Sequence, residues 1–294
     1  MTRSKLISGF WYGIILFILF LLGFIALYPF IYTLSMSVSS PMAIMRNQIY
    51  LIPVGFSLKS YQMIFNDQSI WRSYYNTIWY TVVGTGINLV TTITAGWVLS
   101  RKQFFATSFF MVMITIPMFF SGGMIANFVL VGMLGLYNTR WAIVLPAAMS
   151  SWNIIITRSF FKSSIPDSIP EAAKIDGAND LQTFLKVILP VSKAIIAIIT
   201  LYSAVGFWNS YFSALIYLPN TLLHPMTIML RKLIIQGTGD NLAILMGEGS
   251  DEALMYAMQI RYTTIIVSIL PIICVYPFLQ KYFVKGVMIG SIKE

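Results

Sequence analysis

Long uncharged apolar runs, separated by short polar punctuation, make up most of this sequence. After Arg3 and Lys5, an uncharged run extends from Leu6 to Met45, with an apolar centre at about Trp11 to Leu34. That centre exceeds the 7–15 residues of a signal-peptide core, and no small-residue cleavage site follows it. About 20 apolar residues cross a bilayer as a helix, so 11–35 is expected to be a first transmembrane span. Pro29 is expected to kink it or end it early. Residues 36–72 read as a loop, broken by Pro41, Pro53 and Gly55 and carrying Arg46, Lys59, Asp67 and Arg72. A second span, 73–100, is closed by Arg101 and Lys102.

The uncharged stretch from Gln103 to Thr139 is interrupted by Pro117 and Gly122-Gly123, while Gly132, Gly135 and Asn138 mark a loop. This places a third span at 106–131 and a fourth at 140–161. Residues 162–183 are polar, 184–218 form a fifth span, and 219–260 form a second long loop. A sixth span at 262–280 leads into a tail, 281–294. An even number of spans puts the tail and the N-terminal 1–10 on one side. The expectation is an all-α integral membrane protein of six transmembrane helices.

Composition supports this class. The chain has 294 residues, 57% hydrophobic and 10% charged, against about 25% charged in soluble domains. A single cysteine (Cys274) excludes an intrachain disulfide and a cysteine-based metal site, and a single histidine (His224) argues against a multi-histidine centre, so no metal is expected. The net charge of +9 comes from thinly spread residues, which argues against nucleic acid. Of the 19 Lys and Arg, 12 fall on the side of the termini in short segments and 7 on the other. The termini are therefore expected to be cytoplasmic.

The segment between spans four and five carries a local pattern of its own. Ser168, Pro170 and Glu171 read as a capping box with proline in the first turn, so a helix is expected from about Ile169. Gly177 is the residue type that ends it. Asn179 or Asp180 is expected to cap a second helix, with Gln182 or Thr183 in its first turn. Ile169, Ala172, Ala173 and Asp176 recur at helical spacing, giving one face with small residues and a carboxylate. Read locally, such a helix is a connector or a surface that another protein approaches closely.

Glu171-Ala172-Ala173, then Gly177, then Val187-x-Leu189-Pro190 resembles the EAA loop of permease subunits of ABC importers. Its place between the fourth and fifth of six cytoplasm-ended spans is similar to that in the maltose-permease type. Trp208-Asn209-Ser210-Tyr211 and the tail Gln280–Lys293 resemble the carbohydrate branch, with Ser210 where that branch often has an acid. The resemblance covers roughly residues 70–294. The tail and the stretch from Leu218 to Arg231 look most like permeases for complex or polysaccharide-derived oligosaccharides.

The resemblance implies a type I permease fold with a cytoplasmic coupling helix in a bacterial cell membrane. It also implies a second permease as heterodimer partner, two ATPase subunits, an extracellular solute-binding protein and an oligosaccharide substrate. By the same resemblance, Glu171, Ala172, Ala173, Asp176 and Gly177 are the ATPase-coupling residues. The chain has no G-x-x-x-x-G-K-[ST] loop, so ATP and Mg are expected on the separate ATPase and no cofactor here.

The transport path is read from polarity. Buried ionisable groups mark ion-coupled carriers, and the expected span interiors hold none beyond residues near their ends such as Lys193. A neutral polar substrate suits amide, hydroxyl and aromatic side chains. Asn209, Trp208 and Tyr211 in span five, Asn153 in span four and Asn88 in span two are the candidates, against an interfacial-belt role for the aromatics. Gly84, Gly86 and Gly96 read as close helix-packing positions. Glu248, Asp251 and Glu252 in the outer loop read as a solvated or protein-contacting patch. Two alternatives remain at this level: an ABC permease for another solute, and a stand-alone secondary carrier or channel.

Overall fold

A computed structural model describes residues 3–235, 256–274 and 277 of the chain. In chain order the helices are α1 (Arg3–Ser37), α2 (Pro41–Met45), α3 (Lys59–Asn66), α4 (Gln68–Ser100), α5 (Thr107–Phe119), α6 (Gly123–Met133), α7 (Trp141–Val144), α8 (Ser151–Ser164) and α9 (Ser168–Ile175). Then follow α10 (Asp180–Gln182), α11 (Leu189–Val191), α12 (Lys193–Trp208), α13 (Tyr211–Tyr217), α14 (Met226–Ile235) and α15 (Tyr256–Cys274). Among the described residues the only strand-like feature is one isolated antiparallel bridge, Ser39 to Phe56.

Among the described residues three helices are long and apolar enough to cross a membrane: α1 over Trp11–Ser37, α4 and α15. Two more spans arise if bent pairs each cross once. α5 and α6 meet at 119°, and the run Asp180–Val191 meets α12 at 82°. The continuous span expected at 140–161 is instead α7, an irregular stretch, and α8. The physical reason is Pro146, which has no N–H to continue α7, followed by Ser150, whose side chain caps α8 through the Asn153 N–H. Among the described residues, the spans expected at 106–131, 140–161 and 184–218 are thus each made of more than one helix.

The chain divides into two compact units, residues up to Ile70 with Leu230–Leu270, and Trp71–Met229 with residues from Pro271 on. In the first unit, α1 is largely exposed and apolar on every side from Trp11 to Ile31, as a lipid-facing helix is. Pro29 does not end it; the helix runs on to Ser37, with Thr33 Oγ1 donating to the Pro29 carbonyl at 2.7 Å. The 36–72 segment is not a plain loop. Ser40 caps α2, Met36, Ala43, Ile44 and Ile49 form a small core, and Gln259 Nε2 donates to the carbonyls of Ser37 and Ser57, both at 3.0 Å.

In the second unit, α4 is the axis. At 33 residues it is about 50 Å long, which exceeds the roughly 30 Å hydrocarbon core. In its first half Tyr80 packs with Ile143, Val144, Phe207, Ala214 and Leu218. In its second half Ile93 packs with Phe161, Phe184, Ile188, Ile195 and Ile199. In lipid such packing rests on van der Waals fit rather than on escape from water. Two glycines allow the fit: a Cβ on Gly84 would lie 2.6 Å from the Phe207 ring, and one on Gly96 2.6 Å from Thr157 Cγ2. No such contact surrounds Gly86.

Candidate functional sites

The first site is the segment from Asp167 to Ile188. Asp167, not Ser168, takes the N-cap position of α9, and no side chain caps the helix there. The Asp167 carboxylate instead accepts from Lys102 Nζ at 2.6 Å, so the expected capping box with Glu171 does not form. The ammonium holds the Asp167 carboxyl below its ordinary range, through the hydrogen bond first and charge second, and Lys102 is raised by the same pair.

The C-terminus follows the sequence pattern. Gly177 has φ +80°, its N–H bonds the Lys174 carbonyl at 3.0 Å, and Ala178 N–H bonds the Ala173 carbonyl at 2.9 Å. Asn179 and Gln182 then make a reciprocal capping box, at 2.8 and 3.1 Å. A π-helical turn, Thr183–Ile188, links α10 to α11.

The face of α9 differs from the one expected. Ala173 and Pro170 are buried, with Ile169 half-buried against the cluster around Ile165, Phe184 and Phe161. Trp97 underlies this cluster, stacked on Phe184 (6.3 Å, 25°) and edge-on to Phe161 (5.5 Å, 75°). Glu171, Ala172, Asp176 and Gly177 are exposed, as are Ile175 at 87% and Leu181 at 66%. Ala173 therefore seats the helix on its own chain. The exposed apolar tip is Ile175 with Leu181, which sequence reasoning passed over.

The second site is a cavity of about 830 Å³ wholly within the second unit. It lies where two helices break. One break is the stretch after α7, contributing Ala147 and Ser150; the other is Asn209-Ser210 between α12 and α13. Broken backbone at membrane depth needs other partners or a wet cavity. Two carbonyls of the first break are taken by α4: Asn88 Nδ2 donates to Ala147 O at 3.0 Å and Thr91 Oγ1 to Ala148 O at 2.6 Å. Ser203 Oγ donates to Asn88 Oδ1 at 2.7 Å. Asn88, 3% exposed, is thus a tie between three segments as well as a lining residue.

Of the five path candidates, the cavity brings together Asn88, Asn153 and Asn209. Trp208 and Tyr211 do not line it. Trp208 is buried edge-on to Tyr74 at 6.3 Å, and Tyr211 packs against the Phe207–Leu218 cluster. Polar and aromatic lining that the sequence did not single out includes Ser150, Trp152, Tyr202, Ser203 and Ser213, and Ser210, the position noted for lacking an acid, lines it too. Pro146 followed by Ser150-Ser151 was the available signal for the first break. Among the described residues no Asp, Glu, Lys or Arg lines the cavity, and no three metal-ligating side chains come together.

The residues around the first half of α4 are tightly tied. Asn76 Nδ2 donates to the carbonyls of Leu222 and His224, Tyr80 Oη donates to Leu223 O, and Thr77 Oγ1 accepts from Met226 N. The Arg140 guanidinium lies over Tyr75 and Trp79 and donates to Asn76 Oδ1 at 3.0 Å. His224, read as loop, is thus part of a strap across α4, with Nε2 2.8 Å from Leu218 O. Glu248, Asp251, Glu252 and the 281–294 tail lie outside the described residues.

Comparison with known proteins places this architecture. Residues 87–289 match the family described as binding-protein-dependent transport system inner membrane component. The polygalacturonan/rhamnogalacturonan transport system permease protein YtcP of Bacillus subtilis (strain 168) is 36% identical over 292 residues, covering 99% of each chain. Protein LplC of the same organism is 36% identical over 278 residues, 94% of this chain and 93% of its own. A chain in the crystal structure of a bacterial ABC transporter involved in the import of the acidic polysaccharide alginate superposes with a TM-score of 0.85 at 35% identity. That match covers 96% of this chain and 99% of the other. The chain belongs to the binding-protein-dependent transport system inner membrane components, as a permease subunit of an ABC importer: a transport component rather than a catalyst.

Proposed function

We propose that this permease moves oligosaccharide fragments of acidic, uronate-containing polysaccharides inward across the bacterial cell membrane, by ATP-driven alternating access. The observation that carries the reading is the cavity: about 830 Å³, formed at two helix breaks and lined, among the described residues, by asparagine, serine, aromatic and aliphatic side chains without a charge. That volume lies within the 300–1,000 Å³ of small-molecule sites. Hydroxyl and amide groups match sugar hydroxyls, and Trp152, Tyr202 and Phe212 offer flat apolar faces for sugar rings. A path must hold its cargo weakly enough to release it. A wall without cations satisfies this for a carboxylated sugar, and leaves selection of the carboxylate to the binding protein or the partner permease. The polymers named for the relative and for the structural neighbour are both acidic, which favours this class over neutral sugars.

In this reading the termini and α9 face the cytoplasm. α9 with Leu181 docks in a groove of one of two ATPase subunits, which hold ATP and Mg. A second permease completes a heterodimer, and an extracellular binding protein delivers the sugar. Glu171, Asp176 and Gly177 flank the docking tip, and Ala173 fixes its base.

The test is purification of the chain from membranes with its partners, followed by ATPase and uptake assays with binding protein and a panel of oligogalacturonates, alginate oligomers and neutral oligosaccharides. Co-purification of one homologous permease and an ATPase, with stimulation by an acidic series, is the expected result. Stimulation by neutral oligosaccharides alone overturns the substrate class. Purification of the chain alone in mild detergent overturns the assembly.

A further inference from the structure

A second cavity, of about 320 Å³, lies beside the base of α9 and has no part in docking or transport as described above. Its wall includes Ser100, Arg101, Lys102, Lys162, Asp167 and Pro170. Its lining residues carry three cations and one carboxylate. Asp167 is bonded to Lys102, and Arg101 lies with its guanidinium 5.0 Å from the Trp97 ring centre. Stacking occupies the guanidinium face, not the in-plane N–H donors that an oxyanion accepts from.

The surroundings say which anion. Arg101 directly follows α4, a membrane-spanning candidate, so the cavity lies at the boundary of apolar and polar zones. Three residues on, Phe104 is stacked on Phe110 at 5.8 Å, and Phe105 is 97% exposed, as an aromatic inserted among lipids is. On an adjoining side of the same turn is an apolar groove of about 590 Å³ lined by Val98, Leu99, Phe104, Phe110 and Met113. A basic pocket next to an apolar groove matches a molecule with an anionic head and a hydrocarbon tail. Basic pockets at span ends are a recurring form of headgroup site.

We propose that Arg101, Lys102 and Lys162 bind the phosphate of an anionic phospholipid, whose acyl chain lies in the groove along Leu99 and Phe110. The phosphate competes with Asp167 for Lys102. Because Asp167 is the N-cap residue of α9, headgroup occupancy bears directly on the segment that receives the motor. The consequence is a transporter whose coupling depends on the anionic lipid content of one leaflet.

Native mass spectrometry of the intact complex, titrated with phosphatidylglycerol or phosphatidylcholine, tests this without substrate, so failure of the sugar assignment leaves it untouched. The wild type is expected to retain phosphatidylglycerol preferentially. Arg101→Gln with Lys162→Gln is expected to lose roughly 30-fold in apparent affinity, and Lys162→Gln alone about fivefold. Lys162→Arg, which keeps the charge, is expected to keep the preference. Equal retention of both lipids by the wild type overturns the proposal, as does an unchanged preference in Lys162→Gln. Full displacement of phosphatidylglycerol by inorganic phosphate also overturns it, because the site is then one for soluble anions.

Discussion

The two functional ends of the second unit are built in opposite ways. At α9, eight residues with a fixed cap residue and a left-handed Gly177 lie on a dry aromatic base of Trp97, Phe161 and Phe184, and present an apolar tip outward. Around the cavity the backbone is interrupted twice, the interruptions are tied by side chains, and the polar groups point inward. Under the proposed function a docking surface has to transmit displacement, which suits a short helix closed by Gly177 and seated on close-packed rings. Under the same proposal a translocation path has to adopt two packings, which suits broken helices tied by side-chain hydrogen bonds.

The sharpest break of this contrast is at the tip. Ile175→Asp changes a residue with almost no folding role, so insertion and thermal stability of the permease in detergent are expected to be unaltered. Loss of an interface anchor of about 2 kcal/mol or more is expected to lower ATPase retention and transport by roughly 30-fold or more. Unaltered transport in this variant places the docking surface elsewhere.

Next come two asparagines in one cavity. Asn88→Ala leaves the Ala147 carbonyl and the Ser203 hydroxyl without their amide, at a cost of about 1–3 kcal/mol, seen as a lower unfolding midpoint. Asn209 is exposed to the cavity, so Asn209→Ala is expected to leave the midpoint unchanged and to reduce uptake several-fold. The reverse pattern contradicts the division of roles.

At the helix contact, Gly96→Val brings a side chain against Thr157 and to within 3.2 Å of the Arg158 backbone N from its Cβ alone. Overpacking of about 1–3 kcal/mol is expected, with Gly86→Val, where nothing is near, as the silent control.

The smallest effect is the pH dependence of the Lys102–Asp167 pair. Asp167 titrates below its unfolded value, so its contribution is present at neutral pH and lost as pH falls through the lowered value. Lys102 titrates above its unfolded value, so its share persists at lower pH and disappears as pH rises through the raised value. Both groups are exposed, so Asp167→Asn is expected to shift the midpoint only slightly at neutral pH and to flatten its acid limb.

The same contrast explains what could be read from the sequence. The Asp167–Ile188 segment is specified locally: Pro170, Gly177, Asn179 and Gln182 act on neighbours within three residues, so its helix, turn and helix were legible. Its exposed face was not, because α9 is seated through Ile169 on Phe161, Ile165 and Phe184, which local spacing does not include. The cavity depends on pairings such as Asn88 with Ala147 and Ser203, across 59 and 115 residues. Hydropathy treats 140–161 as one span because Pro146 sits among apolar residues, and nothing local records that Asn88 and Thr91 satisfy the break. Trp208 carried a resemblance at the right place in the chain, yet its ring faces Tyr74 rather than the cavity lumen.

Site-directed cross-linking tests the central claim most directly. A variant with Ile175→Cys and Cys274→Ser, assembled with its partners, carries one thiol at the tip of α9. A short homobifunctional thiol reagent with single cysteines around the ATPase groove is predicted to give a permease–ATPase product that changes in yield between nucleotide-free and ATP-bound states. A thiol that reacts freely with small reagents but never joins the ATPase in either state contradicts the assignment of this segment as the point where the motor takes hold.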